Sequence, residues 1–380
     1  MAHTQELPQH IMSEFPQAQK IIYLNHAGVA PWPKRTADAV KQFANENCIY
    51  GAAHYPEWMV KEQQLREHLK ILINAPSADD IALMKNTSEG LSVVAYGIDW
   101  RKGDNIVTSN QEFPSNRIVW ESLADKGVEL READLDSAAS PEDALFALVD
   151  KNTRLITISA VQFATGLRMD LKLIGEFCQA HNLLFCVDAI QQIGALEIDV
   201  QAIHAHFVMA DGHKWMLGPE GIALLYVHAD MREKLKLHQF GWHMVEHAND
   251  FSIRNWEPAH SARRFECGSP NMPGIYALEA SLSLLNELGM KTIERNIIKN
   301  TSYLIDIISN NDNLEMLSST IQKRLSGIVT FRHRQKNSEE LYKSLMRSGV
   351  ICAPRGGGIR FSPHFYISTE KLDTALKFLD

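Results

Sequence analysis

The fifteen-residue stretch F-V-M-A-D-G-H-K-W-M-L-G-P-E-G, from Phe207 to Gly221, decides the fold. Its apolar start, Phe207–Ala210, and the apolar run that follows it, Ile222–Val227, predict two strands joined by a tight turn. A lysine held at such a strand end, as Lys214 would be, is desolvated, and its amine becomes available for a Schiff base. The ordinary alternative is a solvated surface lysine, so the rest of the chain has to decide between the two.

Short apolar runs alternate with amphipathic helical patterns from about residue 80 to residue 230, which predicts an α/β fold with a mostly parallel sheet between helices. Ligands of such sheets collect beyond the carboxyl ends of the strands, so the loops that follow the strands are the candidate functional segments. The predicted strands are Ile81–Met84, Asn105–Thr108, Val128–Arg131, Arg154–Ser159, Leu183–Asp188 and the two runs above, and one predicted helix is Ser115–Lys126.

The C-terminal third has a different pattern, with long helices at Pro273–Leu288 and Thr292–Ser309 followed by mixed short elements, among them a strand at Val350–Ala353. We therefore expect a large domain at residues 20–262. A smaller α+β domain would comprise residues 263–380 together with the N-terminal segment 1–19.

Composition excludes several functional classes. The chain has 380 residues and a net charge of -8, so it lacks the basic surface that nucleic-acid binding requires. No apolar run is long enough to cross a bilayer, and the polar N-terminus lacks a signal-peptide core, so we expect a cytoplasmic protein without membrane contact. No cysteine pair has metal-ligand spacing, so we expect no metal site and reduced thiols, at Cys48, Cys178, Cys186, Cys267 and Cys352.

The loop after the strand L-L-F-C-V-D, residues 183–188, is the most informative of these segments. Asp188 ends a strand that would be buried on both faces, where an unpaired carboxylate is costly and needs a cation. A protonated heterocyclic nitrogen would serve, and the amide of Gln191 could face the same ligand. Asp188 could instead cap a helix.

Other strand ends carry further candidates. Thr87 and Ser88 could bind a phosphate at a helix N-terminus or simply cap that helix. Phe113 could stack on a flat ligand or fill the core, and Gln162 could bond a ligand or cap a loop. Arg360 follows a glycine turn on a strand, where a guanidinium suits bidentate capture of a carboxylate, although a surface ion pair is the common alternative.

Taken in order, these loops resemble the class V aminotransferase family, enzymes of fold type I that use pyridoxal 5′-phosphate (PLP). The resemblance covers nearly the whole chain, and its most specific pieces are V-D-A-I-Q at 187–191, G-H-K-W at 212–215, G-P-E-G at 218–221 and R-F-E-C-G-S-P-N at 264–271. It implies a large domain with a mostly parallel seven-stranded sheet between helices and a smaller α+β C-terminal domain. It also implies a homodimer with shared active sites.

The resemblance implies a role for each motif residue. Lys214 forms the Schiff base with PLP, and Asp188 pairs with the pyridinium nitrogen, which makes the ring an electron sink. Arg360 holds the α-carboxylate of a small amino-acid substrate, and the loop at Asn25 and His26 is a further candidate for substrate contact. The remaining cofactor-binding positions are Thr87, Ser88 and His213 at the phosphate, Phe113 stacked on the ring, Gln191 and Gln162 near its hydroxyl, and Ser269, which family members extend to the partner's phosphate.

Two departures from the family pattern bear on the chemistry. Asp211 stands where desulfurases often have a phosphate-binding serine, and an acid there repels phosphate unless it turns away. The loop ahead of Arg360 contains glycines where desulfurases carry a nucleophilic cysteine, and Cys352 lies in an apolar run where a thiol has a raised pKa and poor access.

We therefore expect an enzyme acting at the α-carbon of a small amino acid, with transamination as the main reaction because Lys214 alone can move the proton. A PLP-dependent C–S or other β-lyase, or a cysteine-desulfurase-like enzyme, is the alternative. A third hypothesis is a PLP-fold binding protein without catalysis.

Overall fold

A computed structural model describes residues 7–17 and 20–379. Residues 1–6, 18 and 19, which belong to the predicted N-terminal segment 1–19, and residue 380 lie outside the described part.

In the described part of the chain, thirteen strands form three sheets. In chain order they are β1 (Ile22–Tyr23), β2 (Ile81–Met84), β3 (Asn105–Ser109), β4 (Glu129–Ala133), β5 (Thr153–Ser159), β6 (Leu184–Asp188), β7 (Phe207–Asp211), β8 (Ala223–Val227), β9 (Leu314–Met316), β10 (Val329–His333), β11 (Val350–Ile351), β12 (Ala353–Arg355) and β13 (Gly358–Phe361).

Twelve α-helices accompany them in the described ranges. They are α1 (Gln9–Met12), α2 (Lys34–Tyr50), α3 (Tyr55–Ile73), α4 (Thr87–Gly97), α5 (Ser115–Glu121), α6 (Pro141–Phe146), α7 (Leu171–Ala180), α8 (Ala229–Arg232), α9 (Met272–Leu288), α10 (Met290–Ser309), α11 (Ser338–Arg347) and α12 (Thr369–Leu376). Within the segments described, no helix is both long and apolar enough to cross a membrane.

The central sheet has seven strands in the order β2-β8-β7-β6-β5-β3-β4. Strand β8 runs antiparallel to β2 and β7, and every other neighbouring pair is parallel. This arrangement confirms the predicted α/β fold with a mostly parallel seven-stranded sheet.

Strands β6, β7 and β8 are almost entirely apolar because both faces of the central sheet are covered at their positions. Along β7, Phe207 and Met209 belong to a cluster with side chains of α4, whereas Val208 and Ala210 join a second cluster with α7 and α9. Successive side chains of a strand point to opposite faces, so one strand contributes to two cores.

The C-terminal part contains an antiparallel sheet in the order β12-β13-β10-β9, with α10, α11 and α12 nearby, as the predicted α+β pattern requires. Strand β1 pairs in parallel with β11 and so ties the N-terminal region to this part.

Three local predictions were wrong. Strands β7 and β8 do pair, but residues 212–222 connect them as a folded loop and not as a tight turn. The predicted strand Val350–Ala353 is two short strands in different sheets, because β11 pairs with β1 and β12 pairs with β13. The predicted helix Ser115–Lys126 ends at Glu121 and resumes as a short 3-10 helix.

Candidate active site

A cavity of about 270 Å³ lies at the carboxyl ends of the central strands, where the fold predicts a ligand site. It brings together most of the predicted functional residues from loops far apart in the sequence. Its lining comprises Ala27, Gly28, Val29, Thr87, Phe113, Ser115, Phe163, Asp188, Ile190, Gln191, Asp211, His213, Lys214, Arg355 and Arg360.

Lys214 lies in the loop after β7, which is stiffened by its own backbone bonds. Gly218 N donates to Gly212 O at 2.8 Å, and Leu217 N donates to the carbonyl of Lys214 at 3.0 Å. Burial lowers the pKa of Lys214 to about 8, against the opposing attraction of Asp188. The amine also lies 5.6 Å from the ring centre of Phe113, so it is placed for reaction and is more easily deprotonated than a surface lysine.

Asp188 ends β6 and is only 2% exposed. One carboxylate oxygen accepts the backbone N–H of Ile190 at 3.0 Å, and no cation of the described residues forms an ion pair with it. Desolvation raises the pKa of Asp188 to about 7, with Glu112 adding like-charge repulsion. A cationic ligand group in the cavity would relieve both effects.

Glu112 is a buried acid to which the sequence analysis assigned no role. Its carboxylate accepts hydrogen bonds from Ser109 Oγ at 2.7 Å, Asn116 Nδ2 at 2.7 Å and Gln162 Nε2 at 3.0 Å. It also accepts the backbone N–H of Ser159 at the end of β5. Glu112 thus joins two strand-end loops, those after β3 and β5, and its position beside Phe113 was the only signal in the sequence.

The N-terminus of α4 forms the predicted phosphate end of the site. The hydroxyl of Thr87 and Nδ1 of His213 are buried without a partner in the described structure. Ser88 does not line the cavity; its hydroxyl donates to Ser115 Oγ at 2.8 Å, and Ser115, which the sequence analysis did not name, lines the cavity instead.

Asp211 is not turned away from this end. Its Oδ2 accepts the backbone N–H of Thr87 at 3.1 Å, and its Oδ1 lies 3.7 Å from Nδ1 of His213. The carboxylate therefore accepts a hydrogen bond from one of the free backbone amides at the N-terminus of α4, where a negative charge is favoured. These contacts offset part of the repulsion expected between Asp211 and a phosphate.

Gln191 and Gln162, which are both predicted to contact the cofactor ring, have hydrogen-bond partners within the protein. Gln191 donates to Ala27 O at 3.0 Å and accepts the indole N–H of Trp215 at 2.9 Å, while it lines the cavity. Gln162 uses its nitrogen for Glu112, and its Oε1 is unpartnered. Gln191 lines the cavity and Gln162 does not, and their contacts with the ring stay predictions.

Phe113 is 40% exposed and does not fill the core. Its ring meets Phe163 edge to face, with 5.2 Å between the ring centres. Phe113 lines the cavity, and its stacking on the cofactor ring stays a prediction.

Arg360, on β13, is 2% exposed. It donates to Phe163 O at 2.7 Å and, more weakly, to Oδ1 of Asn25 at 3.4 Å, while its Nε has no partner within the described structure. Burial lowers the pKa of Arg360 to about 10, and the charge of Arg355 adds to this effect. A buried guanidinium without a carboxylate partner is suited to an anionic ligand.

The structure does not bring His26 or Ser269 into the cavity. His26 is fully buried, with Nδ1 2.8 Å from Ser362 O and Nε2 2.7 Å from the hydroxyl of Tyr366. Ser269 is exposed on the surface, away from the lining of this chain's own cavity. Their predicted roles stay predictions.

The aminotransferase class-V family model matches residues 22–373. The chain belongs to the class V aminotransferase family. This confirms the resemblance seen in the motifs.

Several class V proteins are similar along their whole length. A probable cysteine desulfurase of Methanothermobacter thermautotrophicus is 32% identical over 391 residues, which cover 96% of this chain and 95% of that protein. The cysteine desulfurase CsdA of Escherichia coli has a TM-score of 0.88 at 21% identity, covering 99% of this chain and 98% of that one. A cystine C–S lyase, C-DES, in complex with its product cysteine persulfide, has a TM-score of 0.87 at 22% identity, covering 96% and 99%. At these identities the two solved structures establish a shared fold.

PLP is the cofactor of this class V chain, as the motifs predicted. The cavity fits it, because buried polar atoms normally have partners and here three lining groups that can donate to an anion do not: Thr87 Oγ1, His213 Nδ1 and Arg360 Nε. The first two lie at the predicted phosphate end. That Lys214 and Asp188 meet the aldehyde and the ring nitrogen of the cofactor stays a prediction.

No cysteine lines the cavity in the described part of this family member. Cys352, between β11 and β12, is 2% exposed, and burial raises the pKa of its thiol to about 12. A thiol of this kind is a poor nucleophile. The sequence indicated that this chain lacks the accessible cysteine of the desulfurase pattern, and the described residues of the structure agree with that.

Proposed function

We propose that this chain is a PLP-dependent C–S lyase that removes the sulfur substituent of a cysteine-type amino acid by β-elimination. The observation that carries the proposal is a cavity lined by the amine of Lys214 and the buried guanidinium of Arg360 and, among the described residues, by no thiol. The relatives named for sulfur chemistry favour this alternative over the aminotransferase that the sequence analysis put first.

Arg360 and Lys214 have different roles in the proposed reaction. PLP, when bound, withdraws electrons from the α-carbon. Arg360 binds the α-carboxylate of the substrate through its free Nε, which fixes the α-carbon near Lys214. Lys214 would hold the cofactor through its Nζ, and its amine, when free, would take the α-proton as a general base. Its lowered pKa keeps a useful fraction of the amine neutral near pH 7 to 8.

Asp188 would keep the heterocyclic nitrogen protonated, because a buried carboxylate with no other cation favours that partner. Glu112 acts behind it by fixing the loops after β3 and β5. Glu112 is thus a positioning residue, while Asp188 touches the cofactor.

The elimination balances without a further oxidant or reductant. The Cα–H bond breaks toward Lys214, and the Cβ–S bond breaks with its electron pair going to sulfur, which leaves as a thiol after protonation. Water then hydrolyses the three-carbon fragment to pyruvate and ammonia. In a desulfurase the sulfur instead passes to a protein thiol and alanine is formed, and this chain offers no thiol at that place.

The test is product analysis with purified holoenzyme given cysteine, cystine or S-methylcysteine. A lyase releases pyruvate and ammonia in equal amounts without an added keto acid, and the variant Cys352→Ala retains this activity. A strict requirement for a keto acid would establish transamination. Alanine as the product, with activity lost in Cys352→Ala, would establish desulfuration through a persulfide.

Three further predictions are carried forward with this function. We propose a homodimer in which Ser269, exposed and remote from its own cavity, contacts the cofactor phosphate of the partner. We also propose the division into residues 20–262 and 263–380, with a cytoplasmic location. Light scattering at several protein concentrations tests the dimer, and limited proteolysis near residue 262 tests the division.

A further inference from the structure

A second arginine, Arg355, lines the same cavity as Arg360 without any role in the function proposed so far. It stands at the end of β12, immediately before the turn Gly356-Gly357. Both glycines have positive φ angles, 57° and 79°, so this turn depends on residues without a side chain.

The register of the hairpin places both guanidinium groups on one face. Arg360 is paired with Ala353, and Arg355 is paired with Gly358. Side chains two positions apart on a strand share a face, and so do paired residues, so Arg355 and Arg360 point to the same side of the hairpin. Diagonal positions of this kind lie roughly 7–8 Å apart. Gly358, opposite Arg355, has no side chain, and a Cβ there would lie 2.2 Å from Phe331 O, so strand β10 packs closely against this position.

The surroundings of Arg355 contain no carboxylate to pair with it. Its only hydrogen bond in the described structure goes from Nη1 to the carbonyl of the adjacent Pro354, at 2.9 Å. The two acidic residues of the cavity lining, Asp188 and Asp211, lie at the cofactor end. The charge of Arg355 also lowers the pKa of Lys214. Burial and Arg360 lower this pKa more strongly, and Asp188 and Asp211 raise it.

The hairpin is held against the segment that also holds Arg360. Arg360 donates to Phe163 O, and a Cβ on Gly356 would lie 3.3 Å from the carbonyl oxygen of Ala164. The turn thus rests on the wall of the cavity, which keeps Arg355 at its rim. Two guanidinium groups then face the substrate: that of Arg360 is buried, and that of Arg355 lies near solvent.

We propose that Arg355 binds a second carboxylate, so that the enzyme selects sulfur amino acids carrying an acidic group on the far side of the sulfur. This inference rests on the proposed lyase function for the identity of the substrate. Disulfide- or thioether-linked diacids such as cystine are the class that fits. Arg360 takes the α-carboxylate beside the bond that breaks, and Arg355 takes the distal carboxylate of the leaving group. Arg355 is a specificity residue and not a catalytic one.

The first measurement is independent of turnover. Isothermal titration calorimetry of the holoenzyme compares suberate, whose carboxylates are separated by as many chain atoms as the two of cystine, with the monoacid octanoate. Loss of one charged hydrogen-bonded contact predicts that Arg355→Gln weakens suberate binding roughly 10- to 100-fold. Octanoate binding should be unchanged, and Arg355→Lys should restore part of the preference.

The second measurement is kinetic. For cystine, Arg355→Gln should raise KM with little change in kcat, whereas S-methylcysteine should be unaffected. Arg332→Gln, an exposed arginine paired with Glu315 on β9, is the matched control and should behave as wild type. Equal suberate-to-octanoate preference in wild type and Arg355→Gln would overturn the inference even if the enzyme is an active lyase. Absence of pyruvate from every amino acid would overturn the lyase function, and the calorimetry would still decide the role of Arg355.

Discussion

Replacing His364 by Asn should remove part of the acid sensitivity of this protein. His364 is fully buried between β13 and α12. Its Nδ1 accepts the backbone N–H of Phe365 at 2.9 Å, so the ring proton is on Nε2 and is donated to Trp215 O at 3.0 Å. A second proton on Nδ1 would break the bond to Phe365 and leave a buried charge. The carbonyl of Trp215 immediately follows Lys214, so this contact also supports the active-site loop.

The magnitude follows from the pKa of the ring. Burial lowers the pKa of His364 from its ordinary 6.5 to about 4. Because the folded pKa is depressed, the stabilisation is complete above pH 6.5 and is lost as the pH falls, since the unfolded chain takes up the proton first. The free energy of unfolding should fall by roughly 2 kcal/mol from this group at pH 5, and by roughly 3 kcal/mol below pH 4.

Urea unfolding followed by tryptophan fluorescence at pH 8 and pH 5 measures the effect. The His364→Asn protein should lose roughly 2 kcal/mol less than wild type between these pH values, whatever its stability at pH 8. His260→Asn, which changes an exposed histidine, should follow the wild-type curve. If His364→Asn and wild type show the same pH dependence, the assignment of His364 as a buried neutral ring is refuted.

Three other substitutions test the site and its support. Lys214→Ala should abolish both the visible absorbance of the lysine-bound cofactor and elimination, while the far-ultraviolet circular dichroism stays unchanged; retained absorbance would contradict the role of Lys214. Glu112→Gln should lower the free energy of unfolding by roughly 1–3 kcal/mol in urea titrations, because its amide N–H groups would face donors; an unchanged urea midpoint would contradict this. Gly327→Ala would place a Cβ 2.3 Å from Cη2 of Trp215 and should cost roughly 1–3 kcal/mol. Gly268→Ala, which has open space, is its control, and equal stability of the two variants would show that Trp215 yields freely.

Local patterns were sufficient for the order of the elements. Strand β2 begins and ends where its pattern predicted, because apolar spacing and the residues that follow it depend on neighbours in the chain. The division of Val350–Ala353 into β11 and β12 was missed, since pairing with two different sheets leaves no trace in a four-residue apolar run. The sequence analysis also missed the edge strand β9. Its pairing with β10 leaves no trace in the local sequence pattern either.

Long-range contacts decided the roles of individual polar residues. Glu112 gains its function from Ser159, whose backbone is 47 positions away in the sequence. His26 looked available for a substrate, but Ser362 and Tyr366, from the other end of the chain, enclose its ring. Whether a polar side chain contacts a ligand or another part of the protein depends on such distant partners. The hydrophobic periodicity of the sequence does not reveal them.

The sequence alone determined the fold class, the family and the cofactor, because the strand-end motifs are short and each contains its own chemistry. Only the tertiary structure decided how Asp211 meets the N-terminus of α4 and that Cys352 is buried and does not line the cavity. It also decided that Arg355 and Arg360 share one face. The physical reason is register: which face a strand residue presents is set by hydrogen bonding to a partner strand, and that partner is chosen by the packing of the whole chain.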